Sequence, residues 1–268
     1  MSEALHSYHP KIRVEREDHV VTITLDAPQS KNACTGGMWV AIGRSFRELV
    51  HSGARVLVLT GAGGDFCSGA DLSGGGETPA EGAPTGMLES MRVIADVALA
   101  IHECPLPVVA KVDGLCVGAG LGLALAADMT VCSDRSRFSA IFAKRGLSLD
   151  FGTSWFLSRR IGVHRAKELA FTAKMLSGTE AYEMGLVNSV VPEADLHAAV
   201  AELVATIASG PPLALSMSKR EIDHAMNATL AQALEAEALA QSVNVKTKDT
   251  REALIAFAER RPPVFTGQ

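Results

Sequence analysis

The sequence predicts an α/β protein, strand-rich at its start and helical at its end. Three observations predict it. Two short apolar runs, Val56-Leu57-Val58-Leu59-Thr60 and Val108-Val109-Ala110-Lys111-Val112, are rich in β-branched residues and read as buried strands. Each leads into a glycine-rich turn: Gly61-Ala62-Gly63-Gly64 follows the first, and Gly114-Leu115-Cys116-Val117-Gly118-Ala119-Gly120-Leu121-Gly122 the second. From residue 196 onward, four successive segments read as helices.

In chain order, residues 12–16 and 20–25 suggest a hairpin around Glu17-Asp18-His19. Residues 37–52 place Trp39, Ile42, Phe46 and Leu49 at helical spacing, ahead of the Val56 strand. Residues 73–86 are rich in Gly, Pro and Thr and read as a loop. An amphipathic helix is expected over 87–103, then the Val108 strand, a helix over 121–127 and a strand over 129–132. The closing helices are expected over 196–209, 212–225, 228–246 and 250–259. No linker separates an independent domain, so 1–195 as core and 196–268 as helical region are expected to form one functional unit.

Composition excludes several classes. The chain has 268 residues, 47% hydrophobic and 21% charged, an ordinary globular balance. A formal net charge of −5 gives no basic footprint for nucleic acid. No stretch approaches the ~18 uninterrupted apolar residues of a membrane span, and residues 1–10 lack a basic-then-apolar secretory pattern. The 5 cysteines (Cys34, Cys67, Cys104, Cys116 and Cys132) are odd in number and without metal-ligand spacing. Reduced, buried thiols in a cytoplasmic protein without a metal site are expected. Gly61-Ala62-Gly63 resembles a dinucleotide loop, but Phe66 stands where its third glycine belongs. Ser68 lies outside a Gly-x-Ser-x-Gly elbow, and the histidines do not cluster.

The two glycine turns are the candidate site. Glycine lets main chain approach a ligand with no Cβ in the way. The helix expected after the second turn begins with unpaired N–H groups and partial positive charge. Two such turns, each leaving a strand, suggest two N–H groups converging on one carbonyl oxygen that becomes negative during a reaction.

These residues resemble the crotonase, or enoyl-CoA hydratase/isomerase, superfamily over nearly the whole chain. The resemblance is carried by Leu25-Asp26-Ala27-Pro28-Gln29-Ser30-Lys31-Asn32-Ala33, Phe66-Cys67-Ser68-Gly69-Ala70-Asp71-Leu72, and Val112-Asp113-Gly114 through Asp128. Leu176-Ser177-Gly178-Thr179-Glu180-Ala181, Gly185-Leu186-Val187-Asn188 and the closing Arg260-Arg261-Pro262-Pro263-Val264-Phe265 extend it. It implies the crotonase (ClpP-like) fold, a repeated ββα spiral with a C-terminal helical region that builds trimers or dimers of trimers. It implies an acyl-CoA thioester as substrate, with coenzyme A part of the substrate and no separate cofactor. The backbone N–H groups of Ala70 and Ala119 would form the oxyanion hole. Substrate contacts would fall to Lys31, Ala33, Ser68, Gly69, Asp71, Leu72, Gly118 and Phe142, with 73–91 shaping the acyl pocket.

The chain departs from the hydratase pattern in its acids. The two glutamates that serve hydration in the family are replaced by Gly122 and Phe142. Asp150, eight residues beyond Phe142, stands where single-acid isomerases of the superfamily carry their acid. The phenylacetyl-CoA-pathway isomerase looks nearest, because it too has a Gly-Thr/Ser-Trp run downstream. Apart from the family, Leu147, Leu149, Phe151, Trp155 and Phe156 surround Asp150 in sequence, and burial there would raise its pKa. The alternative is an N-cap on a helix over 151–160. The expected function is enolate-mediated migration of a double bond in an enoyl-CoA thioester, with Asp150 shuttling the proton. An enoyl-CoA hydratase and a non-catalytic acyl-CoA binding protein are the alternatives. Asp71 and Asp128 are expected to be turn and helix-end partners; Lys144-Arg145 and Arg159-Arg160 are expected on solvated faces or oligomer contacts.

Overall fold

The computed structural model describes residues 2–72 and 86–268. The loop expected over 73–86 lies, apart from Gly86, outside the described residues. The first strands are β1 (Glu3–Ala4), β2 (Ile12–Glu17), β3 (Val20–Leu25) and β4 (Val56–Gly61). After them come β5 (Val108–Val112), β6 (Leu115–Val117), β7 (Met129–Ser133), β8 (Arg137–Ser139), β9 (Leu176–Ser177) and β10 (Ser189–Val191).

The main sheet has seven strands in the order β1-β2-β3-β4-β5-β7-β10. The β2–β3 hairpin is antiparallel, turning at Asp18 with a left-handed φ of 51°, and β3 to β10 are parallel neighbours. A second sheet of β6, β8 and β9 stands apart from it. Parallel neighbours need long crossovers, which helices supply. These are α1 (Gly36–Leu49), α2 (Met87–His102), α3 (Ala119–Ala126), α4 (Thr153–Thr172) and α5 (Gly178–Met184). α4 is broken at Gly162, whose φ of 76° and ψ of 160° are not helical.

Strand alternation explains why the β4 run is apolar throughout. Leu57 and Leu59 point into the main core with α1 and α2, while Val56 and Val58 point to the opposite face. That face is covered by α6 (Leu196–Ser209) through Leu196, Val200 and Val204. A strand covered on both faces has no polar side to show. α7 (Pro212–Ala225), α8 (Leu230–Asn244) and α9 (Lys248–Glu259) complete the chain and leave Ile222, Leu230, Leu254 and Phe257 exposed.

Expected and observed helices agree to within two residues at most ends. The helix expected over 121–127 begins earlier, at Ala119, directly on the glycine turn. That start requires Gly118 at φ 59°, a conformation costly for residues with a Cβ.

Candidate active site

Segment 66–71 runs between two other pieces of chain and is hydrogen-bonded to both. On one side the Cys34 amide donates to the Gly69 carbonyl at 2.8 Å, and the Asp71 amide donates to the Cys34 carbonyl at 2.9 Å. On the other, the amides of Phe66 and Cys67 donate to the Leu115 carbonyl, and Val117 donates back to Cys67. In this parallel pairing of Cys34 with Ala70, the Ala70 amide faces away from Cys34.

Gly69, at φ 100°, brings the main chain against the start of α3. A Cβ on it would lie 3.2 Å from the Val117 carbonyl oxygen and 3.5 Å from the Ala119 amide nitrogen. Ala119 is the first residue of α3, so its N–H has no acceptor a turn earlier. Gly120 is packed as closely, with its Cβ position 2.3 Å from the Cys67 carbonyl oxygen. The two glycine turns are thus in contact, and the Ala70 and Ala119 amides lie on adjoining segments.

Polar side chains to which the sequence reading assigned no structural role hold this arrangement. Asn32, fully buried at φ 55°, accepts from the Ala27 amide and donates to the carbonyls of Ala62 and Asp65 at 2.9 and 2.7 Å. Asp65 accepts from the Leu115 amide at 2.8 Å. Arg135 donates to both Asp113 carboxylate oxygens and to the Gly64 carbonyl. The Asn32 bonds to Ala62 and Asp65 join the turn after β3 to the turn after β4, and the Asp65–Leu115 bond joins the turns after β4 and β5.

Of the residues expected to touch substrate, Lys31, Ala33 and Ser68 lie together. The Ser68 amide donates to the Lys31 carbonyl at 3.0 Å and its hydroxyl to that of Ser30 at 3.1 Å, while the Ala33 amide donates to Ser30. Lys31 is exposed at φ 53° and Leu72 is exposed. Gly118 donates to the Ser139 carbonyl and packs toward Ile141; the neighbouring Phe142 is buried.

Asp150 sits on the turn that meets α3. Burial alone raises its pKa to about 6. Its Oδ1 is buried without a hydrogen-bond partner, as is Thr153 Oγ1. A buried polar atom left unpaired costs about 1–3 kcal/mol, so such atoms call for a reason. The N-cap alternative does not hold: α4 begins at Thr153, and its N-cap is Gly152, with no side-chain cap. The reason is backbone geometry, since Phe151 and Gly152 are both left-handed (φ 50° and 69°) and turn the chain before a cap can form. For Phe151 that conformation costs roughly 1–2 kcal/mol. Its ring packs against Trp39 at a centroid distance of 5.1 Å. Leu147 was expected beside Asp150 but is exposed; it lies past the Gly146 turn that closes the 141–145 3-10 helix.

The turn leaves no room at Gly122. A Cβ there would meet Phe151 Cβ at 2.7 Å, the Phe151 carbonyl oxygen at 2.9 Å and Thr153 Oγ1 at 2.9 Å. Ala119 and Gly122 are three apart on α3 and share a face, so the Asp150 turn packs on the face that begins at Ala119.

The far end of α3 carries a second correction. Arg160 was expected on a solvated face or oligomer contact but is largely enclosed, donating to the carbonyls of Leu125 and Ala127 at 2.7 and 2.6 Å. Burial lowers its pKa, and the guanidinium stays charged. A cation at the last carbonyls of α3 offsets the negative end of its dipole. Arg159 instead lies over the Trp155 ring at 3.9 Å. Asp128, expected as a helix-end partner, follows α3 but accepts from the Val108 amide at the start of β5 and from Lys219 Nζ of α7, at 2.7 and 2.9 Å. All five cysteines are buried and unpaired as disulfides.

A mixed α/β fold whose glycine turns converge at a helix start, beside a buried carboxylic acid, describes a class of acyl-thioester proteins. The chain belongs to the crotonase superfamily: the profile described as "Enoyl-CoA hydratase/isomerase" matches residues 15–268. A Rhodobacter capsulatus protein named a probable enoyl-CoA hydratase is 37% identical, over 98% of this chain and 100% of its own length. The 1,2-epoxyphenylacetyl-CoA isomerase of Escherichia coli is 32% identical, over 94% of this chain and 97% of its own. The crystal structure of an enoyl-CoA hydratase from Bacillus anthracis superposes with a TM-score of 0.89 at 31% identity, covering 96% of this chain and 100% of that one.

Proposed function

We propose that the protein moves a double bond within an enoyl-CoA thioester, with Asp150 as the single acid that removes and returns the proton. The observation that carries this reading is the state of Asp150. It is a carboxylic acid raised to about 6 by burial, with an oxygen that no described protein group hydrogen-bonds. A base poised near neutrality removes an α-proton more effectively than an ordinary aspartate.

In this mechanism the thioester carbonyl accepts hydrogen bonds from the Ala70 and Ala119 amides. Asp150 takes a proton from the carbon next to the carbonyl, and the negative charge that reaches the oxygen is held by those two donors. Such donors contribute on the order of 3 kcal/mol each to the transition state. Arg160 at the opposite end of α3 offsets the negative pole of that helix, whose positive pole faces the oxyanion. Protonated Asp150 then delivers its proton farther along the acyl chain. One acid suffices, because it returns what it took. The CoA moiety is assigned to the Lys31–Ala33 turn and to Ser68, Gly69, Asp71 and Leu72, with Gly118 and Phe142 against the acyl group.

Gly122 favours isomerisation over hydration, because a second carboxylate has no space there. The hydratase reading is supported by the printed names of relatives, the Rhodobacter protein among them. The exposed apolar residues of α7–α9, Phe257 foremost at 86% exposure, support self-assembly; the number of copies, three or a dimer of trimers, rests on the family resemblance.

The test incubates wild-type and Asp150→Asn protein with 3-enoyl-CoA and 2-enoyl-CoA thioesters and resolves products by mass and retention time. Conversion of 3-enoyl to 2-enoyl without mass change, lost in the variant, is the expected result. Gain of one water on 2-enoyl substrates, indifferent to the substitution, refutes it. Tight binding with no turnover of any thioester leaves a binding protein.

A further inference from the structure

Asp150 Oδ1 and Thr153 Oγ1 are the two buried side-chain oxygens without a hydrogen-bond partner among the described residues. They belong to one turn, and that turn is fixed. The Thr153 amide donates to the Asp150 carbonyl at 2.9 Å, Phe151 and Gly152 are both left-handed, and the Phe151 ring is held by Trp39. Thr153 itself is 0% exposed, and a Cβ built on Gly122 would stand 2.9 Å from its hydroxyl.

A hydroxyl can donate and accept, whereas a carboxylate only accepts. The two oxygens do not bond to each other, yet both are buried without a partner at the two ends of the same four-residue turn, which the Thr153 amide closes onto the Asp150 carbonyl. Enclosed polar groups of this kind are matched by single water molecules that bridge them. We propose that Thr153 is a positioning residue for Asp150, linked to its Oδ1 through one enclosed water molecule. The proposal rests on the reading of Asp150 as the proton-transferring acid.

The water donates to Oδ1 and accepts from the Thr153 hydroxyl, so it orients the carboxylate and favours its charged form. No ionic neighbour does that work among the described residues, since burial is the one cause of the Asp150 shift. Packed against the turn are Trp39 of α1 and Gly122 of α3, both uncharged. Lys144 and Arg145 of the preceding 3-10 turn are exposed, and Arg159 of α4 is engaged by Trp155. Removing the hydroxyl therefore raises the pKa of Asp150 and moves the acid limb of catalysis to higher pH.

The experiment follows exchange of α-hydrogens of a 3-enoyl-CoA thioester into D2O from pH 5 to 9, for wild type, Thr153→Val, Thr153→Ser and Asp150→Asn. Thr153→Val is expected to shift the acid limb of kcat/KM upward by about half to one unit and to lower kcat near pH 6 about two- to fivefold. KM should stay within about twofold, and Thr153→Ser should follow wild type, because it keeps the hydroxyl. An unmoved limb in Thr153→Val, or a Thr153→Ser limb displaced as far as that of Thr153→Val, overturns the proposal. Thr153→Ala supplies the same comparison if valine prevents folding. Wild-type exchange by Asp150→Asn instead overturns the assignment of the base, and the role of Thr153 with it.

Discussion

A Cβ built on Gly122 would stand 2.7 Å from Cβ of Phe151, a separation that packed side chains do not reach. The bare backbone of α3 at that point is what lets the left-handed turn at Phe151 and Gly152 close over it. The superfamily's two-glutamate arrangement places an acid at this position. Here its absence is part of the packing rather than a lone substitution.

Gly122→Ala is therefore expected to destabilise the fold by about 1–3 kcal/mol, because the nearest atoms include backbone that cannot rotate away. Gly122→Glu should be worse and should not create hydratase activity. Thermal unfolding together with the 2-enoyl-CoA mass assay checks both. Normal stability with gained hydration would contradict the steric account.

Asp150→Asn should lower turnover by about 10²–10⁴-fold while leaving acyl-CoA binding in place, since the amide keeps the shape but cannot accept the proton. Parallel kinetics and calorimetric titration with an acyl-CoA separate the two effects.

The same substitution should also stabilise the protein at high pH. The folded pKa of Asp150 is about 6, above the ~3.9 of an unfolded aspartate. Between those values the native state holds more protons than the unfolded one, so stability falls as pH rises through that window. The ionised form at pH 8 thus costs stability that the protonated form at pH 3.5 does not. Allowing for solvent screening, Asp150→Asn should gain on the order of 1–2 kcal/mol at pH 8 and little at pH 3.5. Denaturant unfolding of both proteins at the two pH values gives the comparison; an equal change at both would remove the linkage.

Arg160→Met leaves the carbonyls of Leu125 and Ala127 without their donor and α3 without its terminal cation. A loss of about 2–4 kcal/mol is expected from unpaired carbonyls and dipole together. The stem packing is largely kept by methionine, so Tm should fall without loss of the fold seen by circular dichroism. An unchanged Tm would show that water replaces the guanidinium at no cost.

Asn32→Ala removes three hydrogen bonds, one within the turn after β3 and two that join it to the turn after β4. The expected cost is about 2–5 kcal/mol, with the Lys31–Ser68 contact loosened at the same time. Weakened CoA affinity accompanying the drop in Tm is the outcome to look for. Unaltered affinity in a destabilised variant would separate this clamp from the proposed CoA surface.

Much of the fold was legible because its signals are local. The runs at Val56 and Val108 are too short and too β-branched for helices, and Trp39, Ile42, Phe46 and Leu49 can share a face only at helical period. The glycine turns were legible for the same reason, each sitting next to the strand it terminates. Asp150 stood out as an acid among apolar neighbours. Its N-cap reading failed because it hinged on φ at Phe151 and Gly152, and sequence does not announce a left-handed phenylalanine. Arg160 looked like one of a solvated pair because its partners, Leu125 and Ala127, lie more than thirty residues away.

By itself, then, the sequence determined which segments become strands and helices, which turns expose backbone amides and which carboxylate lacks a basic partner. Each is a property of residues within a few positions of one another. The tertiary structure alone decided that the two glycine turns touch through Gly69 and Ala119. It also decided that Gly122 must stay bare and that Arg160 closes α3. Those outcomes depend on distances between segments roughly 30 to 50 residues apart, and packing sets such distances, where periodicity and composition carry no record of them.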